Sequence, residues 1–167
     1  MAGSSIAKQL LSKQLVELTK DEQNGFSVGL EDDNLFKWRV CFEGPQDSLY
    51  EGGLFTALLT FPPDFPNSPP EMVFETELFH PNVYPDGKVC ISILHPPGTD
   101  AFNEQETADE RWRPILGVES ILISVLSMLL DPNPNSPANM DAAVMYRDKT
   151  AEWKKKVRAL TRKSVEG

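Results

Sequence analysis

At 167 residues, 40% hydrophobic and 25% charged, the chain has the size and balance of one globular domain with a core of its own. Its formal net charge of −9 argues against nucleic acid as a main partner. No apolar run approaches the roughly 20 residues of a membrane helix, and the N-terminus lacks the apolar stretch of a signal peptide. A reducing, cytoplasmic setting is therefore expected, with Cys41 and Cys90 both free.

Ile6, Leu10, Leu11, Leu15 and Leu18 recur at near-helical spacing and predict a first helix, capped by Ser4 or Ser5 and ended at Asn24-Gly25. Strands follow at 26–30, 36–43, 54–61 and 71–76. In the second of these, Phe36, Trp38, Val40 and Phe42 alternate with Lys37, Arg39, Cys41 and Glu43. Cys41 reads as a small buried hydrophobe. Short links predict an antiparallel meander. Residues 62–70 hold five prolines in nine positions, a rigid surface loop in which Phe65-Pro66 is a candidate cis bond. From His80 to about Glu110 neither period is evident, and irregular stretches of this length are usually functional. Val118 to Leu130 is apolar nearly all round and predicts a buried central helix, stopped at Asp131-Pro132-Asn133-Pro134. A helix over 141–149 precedes a basic one carrying an apolar stripe of Trp153, Val157 and Leu160. The fold class is α+β, in one domain.

Two charge runs stand out. From Glu152 onward, Lys154, Lys155, Lys156, Arg158, Arg162 and Lys163 face only Glu152 and Glu166. Between Pro97 and Glu110 lie Asp100, Glu104, Glu106, Asp109 and Glu110 with no base. Such runs are often plain solvated surface. The acidic one matters because it follows Cys90.

The path from His80 to Ser92, stiffened by Pro81, Pro85 and Gly87, presents Cys90 at the start of the irregular stretch. Cys41, His80, Cys90 and His95 have no metal-site spacing, so no metal is expected. A hydrolase would need a histidine paired with the thiol. Spacing gives neither His80 nor His95 that role, and Cys90 reads as a carrier thiol, not as half of a Cys/His pair. Passing an acyl group between thiols needs a thiolate and alignment. Passing it to an amine needs a donor for the tetrahedral oxyanion, which the Asn82 amide can supply if its loop folds back towards Cys90. The other use of such an asparagine is to bond its own turn.

His80-Pro81-Asn82, with Cys90 eight residues after Asn82, resembles the signature of the ubiquitin-conjugating enzymes. Tyr50 to Phe55, the proline-rich run from Phe61 to Pro70, Trp112-Arg113-Pro114 and Asp131 to Pro134 resemble further landmarks in the family's order. The resemblance implies an N-terminal helix, a four-stranded antiparallel meander and C-terminal helices. It implies that an activating enzyme, which consumes ATP upstream, hands ubiquitin to Cys90, and that a RING-type ligase directs the thioester to lysines of protein substrates. The chain itself then needs no cofactor. By the same match, Asn82 stabilises the oxyanion or holds the loop, His80 and Pro81 are structural, and Ser136 sits where an Asp or Ser helps orient the incoming lysine. A serine cannot act there as a carboxylate does.

The insertion at about 97–110, with His95-Pro96-Pro97-Gly98 and Ser136-Pro137-Ala138-Asn139, resembles the acidic-loop, G-type subgroup, whose members build ubiquitin chains for proteasomal degradation. Asp109 or Glu110 is the candidate source of negative charge that attracts lysine. Ligase-facing positions are Asn67, Ser68, Pro114 and Ile115, with Asn67 where a bulky apolar residue is common and Glu71 where a base is common. The resemblance also fits a monomer without a membrane anchor, placed in the cytoplasm, in the nucleus or, through a partner, at the endoplasmic reticulum surface. Conjugation of another ubiquitin-like modifier, and a non-catalytic ubiquitin-binding module, are the alternative functions.

Overall fold

Period-two alternation builds one side of the core. In the computed structural model, which describes residues 5–20, 25–98, 106–135 and 137–166, strands β1 (Phe26–Glu31), β2 (Asn34–Glu43), β3 (Leu54–Thr60) and β4 (Glu71–Phe74) form an antiparallel sheet in chain order. Trp38, Val40 and Phe42 of β2 pair with Leu59, Ala57 and Phe55 of β3, so the large side chains share one face, and all six are fully buried. The β1–β2 turn places Asp32 and Asp33 at φ 52° and 56°, the left-handed pair that matches strand twist and that Asp tolerates. Cys41 corrects the expectation of burial. It lies out of phase with Trp38 and Phe42, on the face of Lys37 and Arg39, and is half-exposed. Phe65-Pro66 is cis.

Among the described residues, four helices complete the core: α1 (Ser5–Lys20), α2 (Val118–Leu130), α3 (Met140–Asp148) and α4 (Thr150–Glu166). Ala7, Leu11 and Leu18 bury one side of α1. The Ser4 alternative for its cap and the Asn24 stop lie outside the described residues. Val118, Ile121, Leu122, Val125, Met128 and Leu129 of α2 join the sheet's inner face in one cluster. This helix is not buried all round as its composition suggested, because Ile123 (48% exposed) and Leu130 (57%) face away from that cluster. Asn139 caps α3, its side chain accepting from Ala142 N at 3.0 Å. On α4 the buried stripe is Trp153, Val157 and Thr161, with Leu160 only partly covered. Thr161 satisfies its hydroxyl by donating to Val157 O at 2.8 Å, so it serves as a core residue there.

Candidate active site

The segment after β4 has little regular structure yet is densely tied down. Its turn closes with Gly87 N donating to Tyr84 O, and Gly87 O accepts from Phe74 N, both at 2.8 Å. Gly87 has φ 101°, and a Cβ there would meet Phe74 O at 2.2 Å, so only glycine fits this approach. Val89 N donates to Met72 O at 3.0 Å, and Val83 pairs with Val89 in an isolated antiparallel bridge. Cys90 N then donates to Asn82 O at 2.9 Å. The loop does fold back, and it brings Asn82 beside Cys90.

Three adjacent residues fasten this segment to the end of α2 and the start of α3. His80 is fully buried, with Nε2 2.8 Å from Met128 O and Nδ1 accepting from Asn82 N at 2.9 Å. Those partners require the neutral ring protonated at Nε2. Burial pushes its pKa down to about 4, partly opposed by the Met128 carbonyl. Pro81 O accepts from Ala138 N at 2.8 Å and Asn139 N at 3.1 Å. The Asn82 amide bonds the Asn133 backbone both ways, Nδ2 donating to Asn133 O and Oδ1 accepting from Asn133 N, each at 2.9 Å. Asn82 is 6% exposed. Its first role here is a clamp, and one Nδ2 hydrogen is left over from that clamp.

Cys90 is half-buried in an open cleft of about 320 Å³ lined also by Asn82, His95, Glu106, Glu110, Asp131 and Asn135. Sequence spacing gave no reason to pair His95 with the thiol, and the structure corrects this: His95 Nε2 lies 3.6 Å from Cys90 Sγ. A short 3-10 turn at Ser92–Leu94 reverses the chain, closed by His95 N donating to Ser92 O at 2.9 Å, and so returns the ring to the sulfur. Behind the ring, Nδ1 is 2.7 Å from Glu106 Oε2, which also accepts from Ser92 Oγ at 2.6 Å. Arg111 Nη1 neutralises the carboxylate from the far side, 3.1 Å from Oε1 but without hydrogen-bond alignment. The His95 pKa is raised, by its contact with Cys90 first and, against partial burial, by Glu106. The result is a thiol, an imidazole and an orienting carboxylate in line.

The acidic stretch is thus divided. Glu106 is 8% exposed and serves His95, where a solvated charge was the plain expectation. Glu110 lines the cleft from an exposed position. Asp109 is exposed and does not line it. Asp100, Glu104 and Ser136 lie outside the described residues. No spacing rule links Cys90, His95 and Glu106; the one available signal is that both histidines of the chain flank Cys90.

The four ligase-facing candidates come from two loops joined at Trp112. Its Nε1 donates to Pro66 O at 2.7 Å, and its ring lies 5.8 Å from Phe65. Trp112 N also donates to His95 O at 3.0 Å, so one residue ties this surface to the cleft. Asn67, Pro114 and Ile115 are exposed, Ile115 at 84%, while Ser68 is half-buried and donates to Asp64 Oδ2. Gln14 of α1 reaches the same region, accepting from Val118 N at 2.6 Å. Among the described residues no group of three His, Cys, Asp or Glu side chains is arranged to hold a metal.

A helix, an antiparallel meander and C-terminal helices around a presented thiol define a carrier of activated acyl groups. The family model described as ubiquitin-conjugating enzyme matches residues 10–161, and the chain belongs to that family, whose members transfer ubiquitin through a thioester. It is 57% identical to ubiquitin-conjugating enzyme E2 15 of Schizosaccharomyces pombe over 98% of both chains. It is 55% identical to ubiquitin-conjugating enzyme E2 7 of Arabidopsis thaliana, again over 98% of both. Its similarity to the G-type subgroup is direct, at 45% identity to human ubiquitin-conjugating enzyme E2 G2 over 99% of both.

Proposed function

We propose that Cys90 Sγ accepts ubiquitin from the activating enzyme and that the His95–Glu106 pair moves the proton in both half-reactions. The observation that carries this reading is His95 Nε2 at 3.6 Å from Sγ with Glu106 Oε2 2.7 Å behind Nδ1. In loading, His95 takes the thiol proton, Sγ attacks the incoming thioester carbonyl, and the donor's sulfur departs and takes that proton from the ring, which leaves His95 neutral for discharge. In discharge, a lysine amine attacks the same carbonyl and gives a proton to His95. Sγ then leaves and is reprotonated from the same ring. The spare Nδ2 hydrogen of Asn82 serves the oxyanion, while its other bonds hold the loop. Ser136 orients the lysine on the acceptor side.

Glu110, on the lip of the cleft, draws the lysine in, with Asp100, Glu104 and Asp109 adding to the field. A RING-type ligase docks on the surface of Asn67, Ser68, Pro114 and Ile115, and Trp112 carries that contact towards His95. The chain works as a monomer and builds chains for proteasomal degradation, ATP being consumed by the activating enzyme. It acts in the cytoplasm or nucleus, or at the endoplasmic reticulum surface when a partner recruits it. Among the described residues no helix is long and apolar enough to cross a membrane.

The test is incubation with activating enzyme, ATP and ubiquitin. Wild type forms an adduct that reductant removes, Cys90→Ser an ester that reductant does not remove, and Cys90→Ala none. A thioester on the alanine variant places the chemistry elsewhere.

A further inference from the structure

A second cavity, of about 560 Å³, uses the other residues of the turn that ends α2: Leu129, Leu130 and Pro132 line it, whereas Met128, Asp131 and Asn133 line the catalytic cleft. Its size is that of small-molecule sites. Tyr146 and Trp153 add apolar wall.

Two observations point to what it takes. Lys154, Arg158 and Arg162 follow one another at four-residue spacing, a single stripe of α4, and all three line the cavity. Among the described residues none of them makes an ion pair with a carboxylate. Like charges at this spacing repel, and an anion between them relieves that. Tyr50 is 3% exposed and also lines the cavity, yet its hydroxyl has no hydrogen-bond partner among the described residues. Burial raises its pKa well above the usual phenol range, so it remains a donor at neutral pH. A buried hydroxyl without a partner is costly, and a bound acceptor removes that cost. Two carboxylates, Asp47 and Glu51, share the lining, but Glu51 Oε1 is engaged by Asp47 N at 3.1 Å.

We propose that this cavity binds a small organic carboxylate: an apolar ring lying against Leu129, Tyr146 and Trp153, its carboxylate held by the α4 guanidinium groups and accepting from Tyr50 Oη. Arginine is suited to the head group because its fork matches the two oxygens.

The whole chain, isotopically labelled, is titrated with 2-naphthoate while backbone amide shifts are followed, with neutral 2-naphthamide and inorganic phosphate as comparisons. Expected are saturable shifts at Tyr50, Trp153 and Arg158, and affinity lower by about tenfold or more for the amide, for phosphate and in Arg158→Glu. Arg158 is exposed, and unchanged dispersion elsewhere in the spectrum certifies the variant's fold; Arg162→Glu serves if it does not fold. Tyr50→Phe also weakens binding. The proposal is overturned by absence of saturable shifts at these residues, by equal affinity for the amide or for phosphate, or by undiminished binding in the charge-reversed variant.

Discussion

Acidification should loosen the catalytic loop through His80 before most carboxylates titrate. The ring is buried between Met128 O and Asn82 N, with a pKa of about 4 against about 6.5 in an unfolded chain. A folded-state pKa that lies below the unfolded value means that the unfolded chain binds the proton first. Stability is therefore intact above the unfolded pKa and is lost as pH falls towards the folded one. Between pH 7 and pH 5 those two values give a loss of about 2 kcal/mol from His80 alone, and about 3 kcal/mol once both states are protonated. The raised pKa of His95 acts in the opposite sense: its stabilisation is full below the unfolded pKa and lost as pH rises through the folded one. The clean quantity is thus the difference between wild type and His80→Gln, in which His95 and the carboxylates cancel. Glutamine keeps a donor for Met128 O and cannot titrate. Urea unfolding at pH 7 and pH 5 measures it. The variant should be less stable at pH 7 by about 1–3 kcal/mol, from the lost acceptor of Asn82 N. Its additional loss on going to pH 5 should be smaller than the wild-type loss by about 2 kcal/mol. An equal pH 7 to pH 5 loss in both proteins would refute the assignment of a neutral, buried His80.

Other perturbations test the rest of the site. Gly87→Ala meets both a positive φ and Phe74 O, so thermal unfolding should fall by an amount equivalent to about 2 kcal/mol or more; an unchanged midpoint contradicts the close approach. Asn82→Ala leaves the Asn133 N–H and carbonyl without their partner. Stability in urea should drop by about 1–3 kcal/mol, and unaltered stability would mean that the clamp is not an anchor. Neutralising Glu110 should slow lysine discharge more than thioester loading, with a smaller effect for Asp109, in single-turnover assays at low salt. Equal effects on both steps, or none, remove the steering role.

Period and punctuation carry most of the fold. Phe36 to Phe42 alternate cleanly, and the strand forms with its large residues inward. The limits of α2 coincide with the apolar run and its Asp-Pro stop. What could not be read this way depends on which face meets another layer. Cys41 is apolar enough to look buried, but its phase sends it outward. Thr161 is too polar to look buried, yet its phase sends it inward. In the site, the motif around Cys90 located the thiol, Asn82 and the supporting His80. The His95–Glu106 pair was not legible, since His95 reaches Cys90 only because the chain turns at Ser92–Leu94, and Glu106, 11 residues beyond His95, finds Ser92, His95 and Arg111 together. Within a run of acids, nothing marks the one that turns inward.

The central claim is that His95, oriented by Glu106, accepts the proton of the attacking amine. It is tested most directly by single-turnover discharge of the Cys90–ubiquitin thioester to free lysine as a function of pH. Lysine deprotonation alone gives a rate that rises with unit logarithmic slope at neutral pH, and a histidine base adds a second unit below its own pKa. The account predicts that wild type steepens towards acid pH, whereas His95→Gln keeps unit slope throughout and is slower by about 10²-fold or more above the break. Parallel profiles for the two proteins, with similar rates, would contradict it.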